Sequence, residues 1–251
     1  MILIVFFIII ISFFIFLMKK PSAFENAGGF LYVRNFFKKE DFEKIKRACD
    51  NLKKDLKMDK RSITKSRLGV MVPEEDVVYQ MCYSEFTTNK LRKLVLSDKE
   101  RRYALKPSDV PVEYRTYPFG GNMDWHIDSV LYSEPQFEIV CTIHNSSDSR
   151  TEWKDMYTGK KRWIQTEPNS VLIVQAGSVE HRVTPVTKGE RSIVKFAYST
   201  TNEKTIDYYN NLLVPNGRIR YSTGSYITLQ CFFIICSISL ITVNTLLSCN
   251  T

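Results

Sequence analysis

Three side chains in this sequence have the types and spacing of a metal site. His126 and Asp128 sit two apart in Asp124-Trp125-His126-Ile127-Asp128. In an extended segment residues i and i+2 point to the same face, so an imidazole and a carboxylate can converge on one ion. His181, in Val179-Glu180-His181-Arg182-Val183, is the third candidate ligand. Two imidazoles and one carboxylate form the facial triad that suits iron(II) and leaves coordination positions open. Zinc suits the set less well, because structural zinc sites prefer four cysteine and histidine ligands and are closed.

The segment His181-Arg182-Val183-Thr184-Pro185-Val186-Thr187-Lys188-Gly189-Glu190-Arg191 sharpens the pattern. Lys188-Gly189 supplies a turn, after which Arg191 can return on a neighbouring strand and face the same cavity as His181. A permanently charged fork deep in a barrel needs a carboxylate partner, and a cosubstrate would bring it. His144, the remaining histidine, reads as a structural residue, and Trp125, Trp153 and Trp163 read as core or rim packing before substrate contacts. The chain has no Gly-x-Ser-x-Gly elbow, phosphate-cradling glycine loop or dinucleotide fingerprint.

The elements that must hold these groups are short strands. Val112 to Tyr117, Phe137 to Ile143, Ser170 to Gln175 and Ser192 to Tyr198 are rich in β-branched and aromatic residues and are separated by Gly, Pro, Asn and Asp. Such spacing argues a sandwich or barrel. Ahead of them, Phe30-Leu31-Tyr32-Val33 reads as a first strand. From Glu40 to about Met58 the residues Phe42, Ile45, Ala48, Leu52 and Leu56 fall at helical spacing. A second helix is expected near 87–98. The fold class is therefore α+β, with supporting helices in front and an all-β half behind forming one domain.

The 251 residues carry a net charge of +8 with 44% hydrophobic and 25% charged residues, which excludes collagen-like and disordered classes. Residues 1–18 and 226–249 contain no charged side chain, and each is long enough to span a bilayer. The resulting organisation is an N-terminal transmembrane anchor at 1–18, a helical support region with the first strand at 19–109, a catalytic core at 110–200, a basic juxtamembrane linker at 201–225 and a C-terminal transmembrane segment at 226–249. An uncleaved anchor fits the first segment better than a signal peptide, since a basic n-region is missing. Lys19, Lys20, Arg218 and Arg220 favour a cytosolic domain by the positive-inside rule. Asn145-Ser146-Ser147 is an N-glycosylation acceptor that would suit the endoplasmic reticulum lumen instead. Cys49, Cys82 and Cys141 are scattered and read as reduced structural residues. The basic stretch 38–67 reads as a solvated helix face, and nucleic acid is not an expected partner. Oligomeric state is left open.

These residues together resemble the iron(II)- and 2-oxoglutarate-dependent dioxygenases, in their prolyl 4-hydroxylase-like branch. The resemblance covers about residues 30–200. It is carried by Tyr117-Pro118-Phe119-Gly120-Gly121 leading to His126-Ile127-Asp128, by Thr151-Glu152-Trp153, by Pro168-Asn169-Ser170-Val171-Leu172, and by His181 to Arg191. It implies a double-stranded β-helix (jelly roll), Fe(II) held by His126, Asp128 and His181, and the far carboxylate of 2-oxoglutarate held by Arg191. Tyr117 matches a family tyrosine that often adds a hydroxyl hydrogen bond to the cosubstrate, and Thr142 is a weaker candidate for the same role. O2 is the co-reactant and ascorbate the reductant. The implied reaction hydroxylates an unactivated C–H bond, on a prolyl or other residue of a peptide or protein, with release of succinate and CO2. Two departures stand out: collagen-modifying members usually have lysine where this chain has Arg191, and Ser149-Arg150 replace the glycines that normally precede the Thr-Glu-aromatic motif. The alternatives are a hydroxylase of a small molecule or lipid, or an inactive metal-binding scaffold at a membrane.

Overall fold

A computed structural model describes residues 21–98 and 100–212. The uncharged segments 1–18 and 226–249 lie outside the described residues, as does most of the linker. Among the described residues no helix is long and apolar enough to cross a membrane.

Two antiparallel sheets make the core. The larger runs in the order β1 (Phe30–Val33), β11 (Ser170–Gln175), β8 (Gln136–Asn145), β13 (Arg191–Ser199), β6 (Glu113–Tyr117), β4 (Leu68–Met71) and β2 (Lys57–Met58), with β5 (Lys106–Pro107) also paired to β13. The smaller runs β10 (Lys161–Ile164), β9 (Thr151–Lys154), β12 (His181–Val183), β7 (Asn122–His126) and β3 (Thr64–Lys65). One cavity is lined from both sheets, by Phe30, Tyr117, His126, Val140, Thr151 and Arg191 among others. This is a double-stranded β-helix. Strands from 19–109 pair directly with strands from 110–200, β1 with β11 and β4 with β6, so the two regions build one sheet.

The central strands are buried on both faces for different reasons. On β13, Val194, Phe196 and Tyr198 pack into the apolar cluster beneath the helices, while Arg191, Ile193 and Lys195 line the cavity. On β8, Ile139, Cys141 and Ile143 join the helix side, while Glu138 and Val140 line the cavity. Period-2 alternation thus separates a packing face from a chemical face within one strand.

The helices cover the packing face. Helix Lys39–Leu52 buries Phe42, Ile45, Cys49 and Leu52. Helix Val77–Cys82 is capped by Asp76, which accepts from the Val78 amide at 2.7 Å, and helix Glu85–Val95 is capped by Ser84. The helix expected to reach Met58 stops at Leu52, followed by a 3-10 turn at Lys53–Asp55. Beyond it Lys57 and Met58 pair with Gly69 and Leu68, so the sheet edge captures residues that helical periodicity alone would have kept. The second helix begins at Glu85 and ends at Val95, earlier at both ends than expected.

Candidate metal centre and cosubstrate cavity

His126 is the last residue of β7, His181 the first of β12, and the two are register partners across the small sheet. Their rings lie 4.2 Å apart between centroids. Asp128 follows just beyond β7 and presents Oδ1 at 3.8 Å from His126 Nε2 and Oδ2 at 3.6 Å from His181 Nε2. Ligand atoms of the three residues fall within 4.8 Å of one another.

The tautomers follow from the backbone. His126 Nδ1 lies 2.8 Å from the Asp124 carbonyl and His181 Nδ1 lies 2.9 Å from the Val179 carbonyl. A carbonyl only accepts, so each Nδ1 carries the proton and donates, which leaves both Nε2 lone pairs aimed at the shared space. Burial, then the neighbouring His181, pushes the His126 imidazole down to about 4. Burial works against the Asp128 carboxylate, but Lys195, His181, His126 and Arg115 outweigh it and hold the carboxyl at about 2. At neutral pH the His126 ring is therefore neutral and Asp128 is a carboxylate. This donor set fits a first-row divalent ion.

Arg191 sits in the same cavity, 1% exposed. Its Nη1 donates to Thr151 Oγ1 at 3.0 Å, its Nε has no partner, and no carboxylate of the described residues pairs with it. Every other buried cation nearby has an acid: Arg67 pairs with Asp59 and Arg115 with Glu113. Tyr117, opposite Arg191 in the register of β6 and β13, accepts from Arg67 Nη1 at 3.2 Å. Its hydroxyl proton remains available to the cavity. Burial raises the phenol, but Arg67, Arg115 and Arg191 together outweigh that and lower it.

Thr142 lies on the interior face of β8 but outside the cavity lining, and its hydroxyl donates to Thr166 Oγ1 at 2.9 Å. Ser149, in place of a glycine, is buried and donates to the Thr184 carbonyl at 2.8 Å, and the Arg150 amide donates to Thr184 Oγ1 at 2.8 Å. The substituted pair therefore ties the start of β9 to the segment after β12. Trp153 packs inward, stacked on Phe30 with centroids 4.3 Å apart, whereas Trp163 is exposed beneath the Arg150 guanidinium. His144 is half-buried, beside Ser146 and Glu190. The Asn145-Ser146-Ser147 triplet forms a turn in which Asn145 Nδ2 donates to the Thr166 carbonyl at 2.8 Å and Ser147 Oγ donates to Asn145 Oδ1 at 2.6 Å.

Two cavity residues were not anticipated. Lys195 and Glu138 pair at 3.1 Å beside the triad. Strand alternation could have found both, since Lys195 shares parity with Arg191, and Glu138 with Val140.

No family model and no curated protein matches this sequence. Solved structures do share its fold. A prolyl-4-hydroxylase from Pseudomonas putida aligns over 70% of this chain and 95% of its own at 12% identity and a TM-score of 0.56. A Trichoplax adhaerens prolyl hydroxylase, solved with a hypoxia inducible factor oxygen degradation domain peptide fragment, aligns over 70% and 86% at 13% identity and a TM-score of 0.56. HygX from Streptomyces hygroscopicus, with nickel, 2-oxoglutarate and hygromycin B bound, aligns over 73% and 90% at 11% identity and a TM-score of 0.52. The chain has the fold of the prolyl-4-hydroxylase-like 2OG-Fe(II) oxygenases.

Proposed function

We propose that this protein is an Fe(II)- and 2-oxoglutarate-dependent dioxygenase that hydroxylates an unactivated C–H bond, on a prolyl or other residue of a peptide or protein. The observation that carries the proposal is Arg191: a buried guanidinium with no acidic partner, in one cavity with three convergent ligand atoms. A scaffold has no need of such a charge, which costs several kcal/mol to bury unpaired. A dicarboxylate satisfies it.

His126, Asp128 and His181 would hold Fe(II). With 2-oxoglutarate and O2 the ion supplies oxidative decarboxylation to succinate and CO2 coupled to hydroxylation, and ascorbate keeps it reduced. Arg191 binds the far carboxylate through its free N–H groups, and Tyr117 donates its hydroxyl proton to the same carboxylate while Arg67 holds the phenol oxygen. Val140, Leu172 and Ile193 wall the cavity and exclude water around the reacting groups.

The peptide complex of the Trichoplax adhaerens enzyme supports a peptide substrate. HygX with hygromycin B supports a small molecule as the second reading. The uncharged segments 1–18 and 226–249 support a membrane-tethered enzyme, and their flanking basic residues support a cytosolic catalytic unit.

The test is succinate formation from 2-oxoglutarate by the full-length chain with Fe(II) and ascorbate, beside His181→Ala and Arg191→Ala. Iron-dependent release lost in both variants, and stimulated by a proline-containing peptide, is expected. An iron-loaded, folded chain that forms no succinate, even with peptide panels and cell extract present, would leave a metal-binding scaffold.

A further inference from the structure

The cavity holds a second carboxylate. Glu138, 3% exposed on β8, lines the same space as the triad. Its Oε1 accepts from Gln136 Nε2 at 2.6 Å, and its Oε2 pairs with Lys195 Nζ at 3.1 Å. The same ammonium lies 3.6 Å from Asp128 Oδ1. One lysine thus stands between a ligand carboxylate and a carboxylate that does not join the convergent group, which contains only His126, Asp128 and His181 among the described residues. Two imidazoles with two carboxylates, unopposed, would make a four-ligand site and consume a position that a chelating 2-oxo acid needs.

We propose that Lys195 is a positioning residue: it holds the Glu138 carboxylate off the metal centre and cancels its charge, so that the site stays three-liganded and open to the cosubstrate. The inference rests on the metal-binding reading above. Glu138 acts reciprocally, since an uncompensated ammonium beside the triad would repel a divalent cation. Gln136 fixes Oε1 from two residues earlier on the same strand, and Oε2, which accepts no hydrogen bond among the described residues, faces the Lys195 ammonium.

Co(II) is the probe, added to the full-length chain purified free of metal, because its visible absorption reports coordination number without turnover. The wild-type spectrum is expected to change when 2-oxoglutarate is added. In Lys195→Met, Co(II) should bind about tenfold tighter, and the spectrum should no longer respond to 2-oxoglutarate. Lys195→Met combined with Glu138→Gln, and Lys195→Arg alone, should both restore the response. A Lys195→Met protein with wild-type affinity and a wild-type response overturns the inference. If Lys195→Met does not fold, Glu138→Gln decides: Co(II) binding about tenfold weaker is expected, and unchanged or tighter binding overturns the inference. A wild-type chain that takes up no Co(II) sinks the metal-binding reading and this inference with it, whereas a responsive wild type matched by Lys195→Met sinks the inference alone.

Discussion

Replacing Arg191 by methionine should make the metal-free protein more stable and the cosubstrate unable to bind. Burial disfavours the charged guanidinium and pushes its pKa down, and among the described residues its only hydrogen bond runs to Thr151. Exchanging a buried, uncompensated charge for an apolar side chain of similar length gains about 2–4 kcal/mol. Leaving the Thr151 hydroxyl without its donor costs about 1 kcal/mol. The net gain of about 1–3 kcal/mol raises Tm by roughly 2–12 °C for a domain of this size. On the binding side, two charge-assisted hydrogen bonds at about 1.5–3 kcal/mol each are lost, which weakens 2-oxoglutarate by about 10²- to 10⁴-fold. Thermal unfolding with Mn(II), with and without 2-oxoglutarate, reads both effects. Wild type should start lower and rise on adding the cosubstrate, and Arg191→Met should start higher and stay there. A variant less stable than wild type without cosubstrate, or one stabilised as much by it, would refute the assignment of Arg191 as an empty carboxylate receptor.

Four further outcomes are expected. Because the His126 imidazole is held at about 4 against a normal 6.5, the unfolded chain takes up a proton between those values that the folded one refuses. Stability of the metal-free protein should therefore fall by up to about 3 kcal/mol as pH drops through that window, and urea midpoints that do not change from pH 7 to 4.5 would contradict it. Gly189→Ala drives a Cβ into the Ser146 carbonyl oxygen at a φ of +71°, which should cost about 2–4 kcal/mol in denaturant unfolding. Thr142→Val should lower stability by about 1 kcal/mol yet leave the KM for 2-oxoglutarate at its wild-type value, because its hydroxyl serves Thr166. Asn145→Ala should lower stability by about 1 kcal/mol, because its amide nitrogen donates to the Thr166 carbonyl; an unchanged denaturant midpoint would contradict that role.

The parts of this molecule that repeat with a period were legible in its sequence. The strand Phe30–Val33 and the run Ser170–Gln175 have the expected bounds, and the triad and Arg191 lie in one cavity, as their spacing implied. Period says less about where an element stops. Helix Lys39–Leu52 ends where pairing of β2 with β4 takes over, a contact between distant residues that no local pattern announces. Short pieces such as β4 and helix Val77–Cys82 hold too few residues to show a period. Buried ion pairs are harder still. Arg67 and Asp59 flank a turn and read as solvated charges, yet Arg67 is fully buried against Tyr117. Lys195 was recoverable from parity with Arg191, but a lysine inside an apolar strand reads as an edge residue until its partner on β8 is known.

The stacking of Trp153 on Phe30 gives the metal centre an optical label of its own. Trp153 is the register partner of His181 on the neighbouring strand, and Phe30 lies 6.2 Å from the His181 ring. Trp125 directly precedes His126. Trp153 thus stands beside the imidazole ligands, while Trp125, adjacent to His126 on one strand, turns to the opposite face beside Arg182, and a paramagnetic ion held in the site sits close enough to drain the Trp153 excited state. Native fluorescence can therefore follow occupancy of the site in unlabelled protein, with exposed Trp163 contributing residual emission that stays.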